Sequence, residues 1–489
     1  MGKPLVLAID QGTSSTKCLL VDAQSTVVAR GQAPLGQATP HPGWVEQDAG
    51  EIWASVQAAV ADALKDGGAG DVVSIGISTQ RESCVIWDRQ TGEALTPVLS
   101  WQDQRTEGIC ADIRAAGHAG LIRSLSGLPL DPMFSAAKAK WLLDRIDPDR
   151  RRARAGELAI GTIDSFLLSR FGGPHVVEAG NASRMQLVDV ARAAYDDRLL
   201  EIFNVPRAAL PDIVPSTGPF PGARGLAPLP DGVPVGAVMA DSHSALFAHG
   251  GFTPGSVKAT QGTGSSVMGL IDAAATSPAD LDTGVCLTLA WWIDKPVLAF
   301  EGNIRSAGST LLWVADLLGI SAGELARLAE SVEDAGNVHV VPGFNGLGAP
   351  WWDANAVGLL SGVTLGTSRN VVARAALESI AHQIADVLDA VRASGVALDC
   401  LHVDGGPTRN NQLMQFEADM TGLTVKRTDT AELSALGVAH LAGLSAGLFT
   451  WDGLRSLDRG GSSFTPKLAD TDRQPRRAAW AHALRRARL

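Results

Sequence analysis

No apolar run in this 489-residue chain approaches the about 18 residues needed to span a bilayer, so membrane insertion is not expected. The five cysteines (Cys18, Cys84, Cys110, Cys286 and Cys400) are scattered and odd in number. They show neither dense disulfide spacing nor the paired spacing of a zinc site, which fits a reducing cytoplasm. Basic residues are the minority: 41 Lys and Arg against 52 Asp and Glu give a formal net charge of −11. A broad nucleic-acid surface needs the opposite excess to displace phosphate counterions, so no nucleic-acid partner is expected. The opening residues run directly into a strand-like segment, without a charged leader, apolar core and small-residue cleavage site; secretion is not expected either. The Walker pattern GxxxxGK[ST] is missing, which argues against a P-loop nucleotide site.

What is present is ample core material, 45% apolar against 19% charged residues, in a chain longer than single cores usually grow, so at least two domains are expected. The chain also nearly repeats itself. "VLAIDQGTSSTKCLLVD" spans Val6 to Asp22, and "VKATQGTGSSVMGLID" spans Val257 to Asp272. Each copy reads as a strand, a Gly-Thr-Ser turn and a second strand, a hairpin whose tip offers backbone N–H groups and hydroxyls to phosphate oxygens. One such cluster would pass as an ordinary turn. Two copies sharing Gln-Gly-Thr and a Ser-Ser pair, with Gln11 and Gln261 separated by 250 residues, point to two similar lobes instead.

Strand-like runs at Leu5–Ile9, Cys18–Val21 and Val27–Ala29 precede helix-like "EIWASVQAAVADAL" and another run at Val72–Ile77, an α/β order. Eight prolines between Pro206 and Pro234 predict an irregular connection. The lobe boundary is placed near Ala248 to Pro254, where "AHGGFTP" could bend, giving segments 1–248 and 249–489. Leu377, Ile380, Ile384, Leu388 and Val391 mark one stripe of a packing helix, on which His382 is assigned no role. The basic terminus from Arg473 predicts a final amphipathic helix with a solvated face. Gly443 to Gly447 formally matches a hydrolase nucleophile elbow, but its small-residue surroundings read as helix, so close helix packing is expected.

Asp10 and Asp241 both end apolar strands, where α/β sheets present ligand-contacting side chains. Two carboxylates could divide the work of phosphoryl transfer, one toward a cation and one as base, although Asp241 could equally cap the segment that follows. "QRES" supplies adjacent Arg81 and Glu82, a donor and an acceptor suited to a hydroxylated molecule.

Together these motifs resemble the FGGY carbohydrate kinases, and among them the glycerol kinases. The likeness runs in order through "AIDQGTSSTK", "HPGWVEQDAGEIW", "QRES", "SWQDQRT", "DPMFSAAKAKWLL", "GNASR", "GTGSS", "GLGAPWWD", "RAALESIAHQ", "VDGGPTRNNQLMQF" and "SALGVAHLAG". The resemblance implies two actin-like, ribonuclease-H-like lobes with ATP and a small polyol or sugar in the cleft between them. Segment 1–248 would carry the acceptor and the first phosphate hairpin, and segment 249–489 the second hairpin and the adenosine side. ATP would contact Thr13, Ser14, Ser15, Lys17 and Thr263, with Gly308, Leu312, Gly406 and Asn410 on the nucleotide side. Leu312 stands where glycerol kinases often carry Gln. Asp10 would hold Mg²⁺ through water, Asp241 would be the general base, and Arg81, Glu82 and Trp101 would form the acceptor pocket. Relatives commonly dimerise, so a homodimer is the expectation by analogy.

The chain departs from the glycerol pattern at three pocket positions: Met133 replaces a Tyr, Ser242 a Gln and Ser266 a Phe. The implied site is roomier and more polar and would suit a tetritol, pentitol or ketopentose, with His243 reaching an additional hydroxyl. Two other readings stand beside this one. One is glycerol kinase proper; the other is an actin-like ATPase switch, which would have no use for the acceptor residues.

Overall fold

A computed structural model describes residues 2–272 and 284–489. The chain forms two compact units, and neither is one uninterrupted run. The first comprises Met1–Gly250, Leu287–Leu298 and Glu432–Leu457; the second comprises Gly251–Cys286, Ala299–Ala431 and Asp458–Leu489. By contacts, the units keep a break near the expected boundary between 1–248 and 249–489 and exchange the two segments Leu287–Leu298 and Glu432–Leu457. The helix Leu433–Ser445 packs on the strands Val72–Thr79 and Val235–Ala240 and on the helix Asp241–Ala248, so it belongs to the first unit despite its place late in the chain.

The first unit is built on a five-stranded sheet in the order Val235–Ala240, Val72–Thr79, Leu5–Gln11, Ser15–Asp22, Val27–Pro34. The first three strands are parallel and the last two complete an antiparallel meander. Leu5, Leu7 and Ile9 alternate onto the face covered by Ile52, Val56 and Val60 of the helix Ala49–Ala63, which Asp48 caps by accepting from Glu51 N. Glycines set the approach on the other face. A Cβ on Gly76 would lie 2.5 Å from the Val438 carbonyl oxygen, and one on Gly437 only 1.8 Å from that of Ser244. The Gly443–Gly447 stretch is thus part of a packing helix, with Ser445 Oγ bonded to Leu441 O at 3.1 Å.

In the second unit the antiparallel hairpin Ser256–Gln261 and Ser265–Leu270 is flanked on one side by the strand Pro296–Ile304 and on the other by the parallel strand Cys400–Asp404, followed by Thr424–Arg427 and Ser462–Phe464. The duplicated arrangement is therefore a hairpin whose first strand has a parallel neighbour. The 25-residue helix Arg369–Ala393 buries Leu377, Ile380, Ile384, Leu388 and Val391 as its spacing predicts. The terminal helix Asp470–Ala487 keeps the expected solvated face and buries Trp480, Ala483, Leu484 and Ala487 on the other. Trp480 is fully buried, stacks on His382 with a centroid distance of 4.9 Å, and donates from Nε1 to Asp386 at 2.9 Å. Arg477 donates to the His382 carbonyl at 3.0 Å, so His382 serves as a docking platform.

Behind the second hairpin, fully buried Glu417 accepts from Gln261 Nε2 at 2.8 Å. Burial pushes its carboxyl up to about 8, against a weaker downward pull from Gln261.

Two outcomes follow from this packing. Gly437→Ala forces a Cβ into a carbonyl and is expected to lower unfolding free energy by about 1–3 kcal/mol, measured by urea denaturation. The folded state holds a proton on Glu417 that the unfolded chain releases near its ordinary range, so stability falls as pH rises through that range toward 8. Between pH 5 and 9 the wild-type Tm is expected to decline more steeply than that of Glu417→Gln; parallel slopes would count against a protonated Glu417.

Candidate active site

In the first unit the hairpin tip is closed by Gly12 N donating to Ser15 O at 3.0 Å, and Leu35 N donates to Ser14 O at 2.9 Å. Ser14 is exposed, while Thr13, Ser15 and Lys17 are half-buried. The Thr13 hydroxyl accepts the Trp101 indole N–H at 3.0 Å, which leaves its own proton to donate outward. Lys17 lies opposite Asp10 across the hairpin register.

Asp10 ends its strand beside Ser78 of the parallel neighbour. Burial pushes its carboxyl up to about 7, helped by the negative charge of Asp241 and opposed by the neighbouring Ser78 hydroxyl and the charge of Lys17. Its Oδ1 is buried without a hydrogen-bond partner. Asp241 follows the strand Val235–Ala240 as the first residue of a helix whose cap is Ala240. It is therefore not the cap itself, and its Oδ1 accepts Ser242 N at 2.6 Å and pairs with Arg81 Nε at 3.1 Å. The carboxylate side chain is 37% exposed, against 9% for Arg81, so the pair presents an accessible oxygen anchored by a buried cation.

Glu82 adopts φ +60°, the left-handed region that a non-glycine residue seldom occupies. Its carbonyl accepts Ser135 Oγ at 2.9 Å, and its carboxylate accepts Arg184 Nε at 2.6 Å. Arg184 is fully buried and sits in the "GNASR" motif; sequence reasoning quoted the motif and missed the residue. An arginine amid small residues after a short helix was the available signal. Met133 is half-buried in a turn whose carbonyl accepts Lys138 Nζ at 2.5 Å. Ser242 is nearly buried and His243 fully so, with Gly180 so close that a Cβ there would lie 2.7 Å from His243 Nδ1. His243 thus packs beneath Asp241 and offers no exposed donor to an acceptor.

In the second unit Thr263 is exposed at the hairpin tip. Its carbonyl accepts Ala307 N at 2.9 Å and Ser309 N at 3.1 Å, while Gly308 N donates to Gly262 O at 2.9 Å. The helix Gly308–Leu317 therefore begins against the tip, and a Cβ on Gly308 would stand 2.6 Å from Gly262 O. Leu312 on that helix is 61% exposed. The strand Cys400–Asp404 is followed by Gly405, at φ +104° and packed against Gln261, where a side chain would not fit. Gly406 faces open space, and Asn410 caps the helix Asn411–Thr421 while donating to Glu330 at 3.0 Å.

Ser266 does not present a free hydroxyl. It donates to Glu301 at 2.8 Å and accepts Lys258 Nζ at 3.3 Å, and both charged partners are fully buried. Lys258 also reaches Thr260 at 3.1 Å, and Thr260 donates to Asp404 at 3.0 Å. A lysine amid apolar residues in a strand was the missed signal for this network. Among the described residues no group of three or more His, Cys, Asp or Glu side chains could hold a metal ion.

The matching family models are the FGGY family of carbohydrate kinases, N-terminal domain, over residues 5–248, and C-terminal domain, over residues 257–446. A glycerol kinase of Paracidovorax citrulli is 42% identical over 99% of this chain and 99% of its own. One from Oceanobacillus iheyensis is 42% identical over 92% of this chain and 91% of its own. The crystal structure of Plasmodium falciparum glycerol kinase with ADP aligns at a TM-score of 0.92 and 29% identity, covering 100% of this chain and 99% of that one. With two hairpin tips, two strand-end carboxylates and both family domains in order along its length, this chain belongs to the FGGY family of carbohydrate kinases.

Proposed function

We propose that this ATP-dependent carbohydrate kinase uses Asp241 as general base toward a hydroxyl of a small polyol or ketose. The accessible Asp241 carboxylate, anchored by buried Arg81 at 3.1 Å, is the observation that carries the assignment. In the step proposed, Asp241 takes the hydroxyl proton as the alcohol oxygen attacks the γ-phosphorus in line; the β–γ bridging bond breaks and ADP leaves with its electrons. Arg81 and Glu82 bond the acceptor hydroxyls, Glu82 being aimed by Arg184, and Trp101 covers the C–H side of the acceptor. Thr13, Ser14, Ser15 and Lys17 bind phosphate oxygens in the first unit, as Thr263 does in the second. Gly308, Leu312, Gly406 and Asn410 line the nucleotide side, with Gly406 leaving room for it.

The partnerless, buried Asp10 Oδ1 fits Mg²⁺, which favours oxygen ligands and usually keeps several waters. Bound there with ATP, the ion would neutralise phosphate charge. Five free cysteines among the described residues support a reducing cytoplasm as the working compartment, and a homodimer is proposed on family analogy alone.

For the acceptor, Met133, Ser242 and Ser266 leave more room than the Tyr, Gln and Phe of glycerol kinases. The engagement of Ser266 with Glu301 and Lys258 means that it contributes space and not a contact. A four- or five-carbon polyol or ketose is therefore the preferred acceptor. The full-length similarity to proteins named glycerol kinase favours glycerol as the second reading.

Asp241→Asn is expected to lower kcat by about 10²–10⁴-fold with nucleotide affinity nearly unchanged, by coupled ADP-release assay and calorimetry. Undiminished turnover would remove Asp241 from the mechanism. In the same assay over polyols and ketoses, kcat/KM is expected to peak above three carbons; a maximum at glycerol would reject the enlarged pocket.

A further inference from the structure

A closed ring of hydrogen bonds ties the first phosphate tip to the acceptor-facing tryptophan. Gln80 sits at its centre, 1% exposed, and its Nε2 donates to Gln11 Oε1 at 3.1 Å and to Gln47 Oε1 at 3.0 Å. Its Oε1 accepts from Ser83 Oγ at 2.9 Å, and Ser83 Oγ accepts the Trp101 backbone N–H at 3.1 Å. The Trp101 indole N–H then meets Thr13 Oγ1 at 3.0 Å. Gln47 Nε2 closes the ring on the Thr13 carbonyl at 2.8 Å, and Gln11 Nε2 holds the Gly12 carbonyl at the same distance.

The direction of this ring is fixed by chemistry. Backbone carbonyls only accept, so Gln11 and Gln47 must turn their N–H groups toward Gly12 and Thr13 and their oxygens toward Gln80. Gln80 must then donate twice and accept from Ser83. Reversing any one amide sets oxygen against oxygen in a site that water does not reach, and an unmet buried polar group costs about 1–3 kcal/mol. Gln11, Gln47, Gln80 and Ser83 are all 0–2% exposed, so the ring has one arrangement and moves as a unit. Thr13 is gripped by both its carbonyl and its hydroxyl, the latter by the ring nitrogen of Trp101.

We infer that Gln80 is a positioning residue that couples nucleotide and acceptor binding: through Ser83 and Gln47 it makes the Trp101 indole and the Thr13 tip one rigid element, so that fixing either with a ligand fixes the other. The inference rests on the reading above, in which Thr13 meets phosphate and Trp101 meets the acceptor. A coupling of this kind is reciprocal.

The test is Gln80→Met, which keeps length and apolar volume but removes every hydrogen bond. Calorimetric Kd values are measured for Mg-AMP-PNP with and without the polyol of highest kcat/KM in the wild-type screen, and for that polyol with and without Mg-AMP-PNP. In the wild type each ligand is expected to tighten the other by at least about fivefold, equally in both directions. In Gln80→Met the factor is expected to fall to near one in both directions. If Gln80→Met does not fold, Gln47→Met opens the same ring at the Thr13 carbonyl and is read identically. A merely structural role would lower Tm and leave the coupling factor intact, and that result overturns the inference, as does a wild type that shows no coupling. If the wild type phosphorylates none of the polyols and ketoses, the kinase reading itself falls; if it phosphorylates one and the variant keeps its coupling, only the role of Gln80 falls.

Discussion

The chemistry of the first unit depends on three parallel strands ending at one level. The register sets Asp10 beside Ser78 and Ala240 beside Thr79, so Asp10 and Asp241 flank the end of the strand Val72–Thr79. Neighbouring strands lie about 4.8 Å apart, so these two strand ends are about 10 Å apart, and the burial of Asp10 keeps the charge of Asp241 felt there. The central strand then continues directly into the residues that manage this charge. Arg81 pairs with Asp241 and lies 4.0 Å from Glu82, Glu82 accepts from Arg184, and Asp10 Oδ1 is left without a hydrogen-bond partner. Anion-binding groups in the same neighbourhood, Lys17 and the hydroxyls of the tip, complete an arrangement in which an oxygen-seeking cation and a phosphate chain would both be stabilised.

The second unit repeats the frame with the charges redistributed. Thr260 occupies the place of Asp10, and the carboxylate appears instead on the parallel neighbour as Asp404, to which Thr260 donates. Gln261 takes the place of Gln11, but its partner is Glu417, where Gln11 has the neutral amide of Gln80. Ser266, opposite Thr260 in the register, stands where the first hairpin has Lys17 opposite Asp10, and a cation returns at Lys258, buried among Thr260, Ser266 and Glu301. The same backbone thus presents hydroxyls and N–H groups at both tips while only the first keeps a strand-end carboxylate available to a cation.

The frame itself was legible in the sequence because hairpins, strand-end aspartates and the stripe of the helix Arg369–Ala393 are local patterns, each read from a few neighbouring residues. The units' composition was not. The helix Leu433–Ser445 joins the first unit because Gly437 and Gly76 allow its backbone to approach, and such an approach depends on partners some 190 or more residues away in the chain. The terminal helix was legible as amphipathic, but its partners were hidden for a similar reason: nothing local shows that Trp480 meets His382 and Asp386. Candidate residues such as Asp10, Arg81 and Asp241 were found by their strand-end positions, whereas Arg184, Lys258 and Glu301 act through a second residue and leave no spacing signature. His243 shows the converse limit, since adjacency to Asp241 suggested contact and burial against Gly180 denies it.

Glu82 joins these strands of argument. A non-glycine residue held in a sparsely populated backbone region costs of order 1–3 kcal/mol and persists where the surroundings over-determine it. Here they do: Ser135 fixes the carbonyl, Arg184 fixes the carboxylate, and the neighbouring Ser83 is locked into the amide ring through Gln80. A glycine would relax the backbone but lose the carboxylate, so relief of strain and retention of the ion pair with Arg184 exclude one another at this position. The strained conformation turns two consecutive side chains to different partners, Arg81 to Asp241 and Glu82 to Arg184, over a single peptide unit. Regular extended backbone also sends neighbours apart, but to opposite faces of the sheet, where one of the two would be lost to the site.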